Sequence, residues 1–132
     1  MEQSLVLIKP DGVARRYIGD IIGRFEKRGL TIIQLEMMTL SREKAEVHYG
    51  EHVGKPFYSP LIDFITSGPL VAMVITGDRA ISIVRSMCGT TDAGSAAPGT
   101  IRGDLSIYNN RNVIHSSDSV ESAQREIGIF FG

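Results

Sequence analysis

The sequence contains no tryptophan and a single cysteine, Cys88. One thiol rules out an intrachain disulfide and fits a reducing compartment. No apolar run approaches the roughly 20 residues needed to span a bilayer. No signal peptide is expected either: Glu2 and Gln3 stand where basic residues would be placed, and Asp11 soon follows. These absences lead us to expect a soluble, cytoplasmic protein. Excess charge of either sign is also lacking. Fourteen Lys and Arg face fifteen Asp and Glu, a formal charge of −1. That balance excludes a polybasic nucleic-acid or membrane binder. Any anion site must come from a few placed cations. No Gly-x-x-x-x-Gly-Lys-Ser/Thr occurs, which removes P-loop enzymes. No Gly-x-Gly-x-x-Gly follows a strand, which argues against a Rossmann site and a protein-kinase loop. Internal repeats and low-complexity tracts are absent.

What remains is ordinary globular composition, 42% hydrophobic and 22% charged. A length of 132 residues predicts one domain spanning residues 1–132. A domain this small buries only about two-thirds of its unfolded surface, so self-association is expected to add stability.

Ser4 to Ile8 is a short apolar run halted by Lys9-Pro10-Asp11-Gly12, a strand entering a turn. From Tyr17 to Arg28, Ile18, Ile21, Ile22 and Phe25 fall on helical spacing, and Gly29 stands where a C-cap glycine belongs. Leu30 to Met38 predicts a second strand, and Ser41 the N-cap of a helix to about Tyr49. A helix around Leu61–Ile65 ends at Ser67-Gly68-Pro69, and Leu70 to Ile75 is a third strand. Ala80 to Met87 is expected to be helical, with Ile81, Ile83 and Val84 inward. A short helix near Val120 and a strand at Ile127–Phe131 close the chain. Four short strands separated by helices predict an α+β ferredoxin-like βαββαβ sheet, antiparallel, with added helices. The span from Gly89 to Asn112 carries five glycine or proline residues (Gly89, Gly94, Pro98, Gly99, Gly103) and almost no apolar periodicity. A structureless loop of that length is usually functional.

Among the histidines, His48 and His52 have a spacing able to bind a metal on one helical face. Gly50 and Gly54 disfavour a rigid helix there, and no third ligand stands nearby, so both are expected to be exposed helix-end residues. His115 follows Val113-Ile114 and precedes Ser116-Ser117-Asp118-Ser119, a run of capping residue types. That places an imidazole at a strand-to-helix turn, beside free N–H groups that favour anions. Glu121 or Glu126 could hold one ring nitrogen protonated, leaving the other as nucleophile. A partly buried histidine capped by a carbonyl fits the local pattern equally. Lys9, Arg85, Arg102 and Thr91 are individually ordinary surface residues. Together with a nucleophilic His115 they would make a phosphate site.

Asn112-Val113-Ile114-His115-Ser116-Ser117-Asp118 resembles the signature of nucleoside diphosphate kinases, usually Asn-x-x-His-Gly-Ser-Asp. Leu7-Ile8-Lys9-Pro10-Asp11-Gly12, Ser67-Gly68-Pro69 and Pro98-Gly99-Thr100-Ile101-Arg102-Gly103-Asp104 resemble further landmarks of that family, in order, over nearly the whole chain. The resemblance implies a ping-pong transfer of the γ-phosphoryl group from a nucleoside triphosphate, mainly ATP, to a nucleoside diphosphate. His115 matches the histidine phosphorylated on Nδ1, Glu126 the carboxylate on its other nitrogen, and Ser117 the hydroxyl beside it. Lys9, Arg85, Thr91 and Arg102 match the phosphate-binding set. Asn112 and Lys9 match positions near the ribose 3′-hydroxyl, and Phe57 matches the aromatic on which the base stacks. Tyr49 and Leu61 match neighbours of the active site and base. Mg²⁺ is implied on the nucleotide's phosphates, with no protein cage.

The resemblance also implies a homo-oligomer, a hexamer by the match of Pro98-Gly99 and the large loop. A tetramer stays open, because the C-terminal extension of longer members has no counterpart after Gly132. No Arg/Lys-Gly-Phe strand of an RNA-recognition surface is present, so no specific nucleic-acid partner is expected. Two departures from the pattern stand out. Ser116 replaces the usual Gly, narrowing the allowed backbone, and Ala93 replaces a frequent Pro, which predicts a slightly looser loop.

Overall fold

A computed structural model describes residues 1–132. Strands β1 (Glu2–Ile8), β2 (Thr31–Thr39), β3 (Pro69–Gly77) and β4 (Ile114–Ser116) form one sheet in the order β2-β3-β1-β4, every pairing antiparallel. Helices α1 (Pro10–Ala14), α2 (Ile18–Lys27), α3 (Arg42–His48), α4 (Tyr58–Ile65), α5 (Ala80–Cys88), α6 (Ile101–Leu105) and α7 (Val120–Phe131) connect and cover it. This is the expected four-stranded α+β architecture.

Period-2 alternation divides the two central strands between two cores. Val6 and Ile8 join Val71, Met73 and Ile75 against Phe25, Val84 and Ile101. Leu5 and Leu7 join Leu70 and Ala72 on the opposite face, against Ile62, Ile65 and Phe130. Helices cover both faces, so β1 is buried continuously from Ser4 to Ile8 and reads as an unbroken apolar run. The C-terminus of α2 closes as expected. Gly29 takes φ 95°, and the N–H of Leu30 reaches back to the carbonyl of Phe25 at 3.1 Å. Ser41 caps α3 by accepting from Lys44 N at 3.2 Å.

Four expectations are corrected. Residues 127–131 are not a strand but the second half of α7. Ala123, Glu126 and Phe130 share its buried face at helical spacing, and the short apolar run taken alone does not distinguish the two periods. The fourth strand is β4, only three residues long, with His115 at its centre opposite Leu7. The segment Gly89–Asn112 is not structureless: it holds a 3₁₀ turn at Ala93–Ser95 and helix α6, N-capped by Thr100. Ile81 is only half-buried on α5, outside the core that Ile83, Val84 and Met87 contact. The turn after Lys9 is itself helical, opening with Pro10 at the first helical position.

Candidate active site

The short β4 carries His115 in register with Leu7, so its ring points to the face that α7 covers. Helical spacing on α7 turns Glu126 inward, where it is buried. His115 Nε2 lies 3.1 Å from Glu126 Oε1, and the same oxygen accepts the Ser117 hydroxyl at 2.7 Å. Ser117 Oγ in turn accepts the N–H of Leu5 at 3.0 Å, tying the group to β1. Burial opposes ionisation of Glu126, yet the hydrogen bond and charge of His115 and the Ser117 hydroxyl hold its carboxyl below the ordinary range. An ionised carboxylate only accepts, so Nε2 carries the proton and Nδ1 keeps its lone pair. Of the two glutamates considered, Glu121 is exposed and makes no such contact.

Lys9, at the end of β1, is buried, and its Nζ donates to Asn112 Oδ1 at 2.8 Å. Burial, then repulsion from Arg102, lowers its pKa to about 8 against the partial support of Asp11 and Cys88. A phosphate beside it would supply the missing counter-charge. Arg102 on α6 is buried too. Its guanidinium donates to Gly89 O at 2.8 Å and to Ile114 O at 2.6 Å, which braces the large loop against the strand bearing His115. Burial and then nearby Arg85 depress its pKa. Arg85 itself is exposed on α5. Asn112 Nδ2 donates to Thr91 O at 2.8 Å, so Asn112 links the loop's two ends to Lys9.

A cleft of about 490 Å³ opens here, lined by Lys9, Phe57, Leu61, Thr91 and Asn112. Phe57, half exposed at the start of α4, supplies an aromatic wall. His115, Glu126, Ser117 and Tyr49 do not line this cleft, nor do Arg85 and Arg102; Arg102 ties to the strand that bears His115 through the carbonyl of Ile114. Tyr49 is buried against His48, ring centroids 4.5 Å apart, and burial, with Glu126 nearby, pushes its hydroxyl pKa up.

Sequence reasoning missed several residues here. His48 is not exposed: it is 3% accessible, and its ring meets that of His115 edge-on at 5.0 Å. Ala45, His48 and Tyr49 are buried at helical i, i+3, i+4 spacing, the signal that could have revealed it. Asn109, Asn110 and Arg111 also line the cleft, and Arg111 lies 5.5 Å from the Phe64 ring centre. The substituted positions are accommodated. Ser116 pairs with Val6 in β4 and has no positive φ, so its Cβ brings no strain. Ala93 N donates to Tyr108 O at 3.3 Å, a bond across the loop that proline could not make.

A carboxylate-held imidazole on β4 and buried cations at the end of β1 and on α6 suit an enzyme of anionic group transfer, phosphoryl transfer foremost. The profile of the family described as nucleoside diphosphate kinase matches residues 2–132. A nucleoside diphosphate kinase of Staphylothermus marinus is 59% identical over 130 residues, 98% of this chain and 92% of that protein. Another, of Desulforamulus reducens, is 58% identical over 131 residues, 99% of this chain and 88% of its own length. The solved structure of a halophilic nucleoside diphosphate kinase from Halobacterium salinarum, in complex with CDP, superposes with a TM-score of 0.96 at 48% identity, covering 98% of this chain and 87% of that one. The chain belongs to the nucleoside diphosphate kinase family, and its reaction is phosphoryl transfer between nucleotides.

Proposed function

We propose that this chain, as one domain over residues 1–132, moves the γ-phosphoryl group of a nucleoside triphosphate, mainly ATP, onto a nucleoside diphosphate through phosphorylated His115. The observation that carries this reading is the bond from Nε2 to Glu126, which leaves Nδ1 as the free nucleophile. The Nδ1 lone pair attacks the γ-phosphorus, the bond to the β,γ-bridging oxygen breaks, and the diphosphate leaves with that electron pair. In the second half, a β-phosphate oxygen of another diphosphate attacks the same phosphorus, and the P–N bond returns its electrons to the ring. Lys9, Arg85 and Arg102 neutralise charge on the phosphates, and Thr91 adds a hydroxyl. The donors facing the cleft are cationic or neutral, so they suit phosphates and not a bare cation. Mg²⁺ would therefore be held by the nucleotide's own phosphates, adding charge neutralisation there. Incubation with a γ-labelled nucleoside triphosphate should leave acid-labile, alkali-stable label on the protein. Absence of label in active protein would refute the covalent route.

The base is expected to stack on Phe57, with the ribose 3′-hydroxyl between Lys9 and Asn112; the halophilic relative solved in complex with CDP supports nucleotide binding by this fold. Stacking tolerates every base. Asn109 and Asn110 place amides nearby, but both are exposed, so a wrong base leaves no buried group unpaired. The kcat/KM values for GDP, ADP, CDP, UDP and dTDP should fall within roughly a thousandfold, larger bases faster. A 3′-deoxy acceptor should be roughly 10- to 100-fold slower, the worth of a hydrogen bond to a charged group. Wider discrimination among natural bases would mean that a base-reading contact exists.

We further propose a closed homo-oligomer built from dimers, with a hexamer favoured over a tetramer. The unpaired edge of β2 supports the dimer: Ile33, Leu35 and Met37 are 48–55% exposed along it. On the large loop, Ile107 is 73% exposed and offers a second apolar contact. Light scattering coupled to size exclusion at micromolar concentration should give six subunits; a monomeric mass would end the proposal.

A further inference from the structure

The Lys9-Pro10-Asp11-Gly12 segment reaches across to Val113, next to the strand that bears His115. Val113 follows Asn112, stands two residues before His115, and takes φ 75°, a conformation unusual for a β-branched side chain. Ile114 N donates to Asn112 O at 2.8 Å, closing a γ-turn around Val113. We propose that Asp11 is a positioning residue of phosphoryl transfer, its carboxylate clamping this strained turn and thereby setting Asn112 and His115. The inference rests on the reading that Asn112 meets the ribose 3′-hydroxyl and that His115 is the nucleophile.

The turn's own polar groups point away from its internal bond, and the segment from residue 9 to residue 11 takes both. Asp11 Oδ2 accepts from Val113 N at 3.0 Å, and Lys9 N donates to Val113 O at 2.8 Å. The other Asp11 oxygen, Oδ1, is buried without a partner, so Val113 N–H is the bond that fixes this carboxylate. Gly12 permits the approach: a Cβ there would lie 3.1 Å from Val113 Cγ1 and 2.8 Å from Ile8 Cγ2. The Val113 side chain is fully buried, which prevents the turn from flipping outward. Strained conformations persist only where surroundings over-determine them, and they gather at functional sites. Releasing Val113 would let Asn112 drift from Lys9 and Thr91 and would loosen β4, whose three residues offer little restoring force.

The experiment compares wild type, Asp11→Ala, Asp11→Asn and Asp11→Ala/Val113→Gly, with GDP and 3′-deoxy-GDP as acceptors. Wild type should prefer GDP. Asp11→Ala should lose roughly 100-fold in kcat/KM for GDP but only about tenfold for the 3′-deoxy acceptor, which feels the displaced His115 and not Asn112. The 3′-hydroxyl preference should therefore collapse. Asp11→Asn keeps an acceptor and should keep that preference. Glycine takes φ > 0 without strain, so the double variant should recover most of the loss. An Asp11→Ala enzyme that retains the wild-type preference overturns the proposal, as does a loss that Val113→Gly leaves unchanged. If wild type itself shows no preference, the reading of Asn112 fails instead. Asp11 is then judged by single-turnover phosphorylation of His115, which must slow at least about tenfold in Asp11→Ala. Should Asp11→Ala fail to fold, the near-isosteric Asp11→Leu, which fills the space but offers no acceptor, takes its place, and an Asp11→Leu enzyme that keeps the wild-type preference overturns the proposal.

Discussion

His115→Ala is expected to abolish the labelled phosphoenzyme and to lower kcat on the order of 10⁴-fold or more, since no second nucleophile can replace a covalent intermediate. The neighbouring imidazole does not substitute for it. His48 is buried with both nitrogens enclosed, whereas the His115 side chain retains 21% exposure. Nucleotide binding should survive, because Lys9, Phe57, Thr91 and Asn112 line a cleft to which the His115 ring contributes nothing. Equilibrium titration with a nucleoside diphosphate should give a Kd within about threefold of wild type, a change of well under 1 kcal/mol. Glu126→Gln separates orientation from chemistry. The amide can still contact Nε2 and Ser117 Oγ, but it removes the charge that makes Nε2 the protonated nitrogen. A loss of roughly 10- to 100-fold is expected, typical of a partner acting through another group. His115→Ala protein that still labels and turns over would place the nucleophile elsewhere.

The elements whose local signals agree were legible in the sequence. The strand before Lys9, the Gly29 terminus, the Ser41 cap and the strand at residues 70–75 each combine periodicity with a stop signal, and each forms as expected. The failure at residues 127–131 has a physical origin. Five consecutive residues with Ile, Gly and Phe fit both a buried strand and one side of a helix. Only the upstream pair Ala123 and Glu126 shows that the helical face continues. β4 was hidden for the opposite reason, because three residues carry too little pattern to mark a strand. The chemistry-bearing residue types around His115 were visible, but their contacts were not. Nothing in a linear sequence shows that Arg102 braces the carbonyl of Ile114 or that Asp11 reaches Val113, 102 residues away. His48 was misplaced because a polar residue at a helix end ordinarily faces water.

His48 is expected to make the fold sensitive to acid. His48 is enclosed by Tyr49, His115 and Phe130, with ring centroids 4.5, 5.0 and 5.3 Å away. Neither of its nitrogens has a hydrogen-bond partner. Burial, then the proximity of His115, lowers its pKa from 6.5 to about 3; Glu126 opposes the shift, and Arg125 and Lys9 add to it. The folded protein thus stays neutral at His48 over a range where the unfolded chain binds a proton. More protons on the unfolded state mean that stability falls as pH falls. The stability is fully present above about 6.5 and is lost progressively down to about 3, the window set by the two pKa values. At about 1.4 kcal/mol per pH unit, the cost over that window is on the order of 3–5 kcal/mol. That is a large part of the 5–15 kcal/mol typical of a domain. His48→Phe keeps an aromatic ring against Phe130 and His115 but has nothing to protonate. It should flatten this acid slope and, by removing unpaired buried nitrogens, raise neutral-pH stability by about 1–3 kcal/mol. Glu126, whose folded pKa is lowered, also loses stabilising charge in acid, so a residual slope below the carboxylate range is expected in both proteins. Urea unfolding at pH 7.5, 6.5, 5.5 and 4.5 gives the comparison directly. Wild type and His48→Phe should diverge steadily below pH 6.5. Parallel stability curves would show that His48 is not held neutral by its burial.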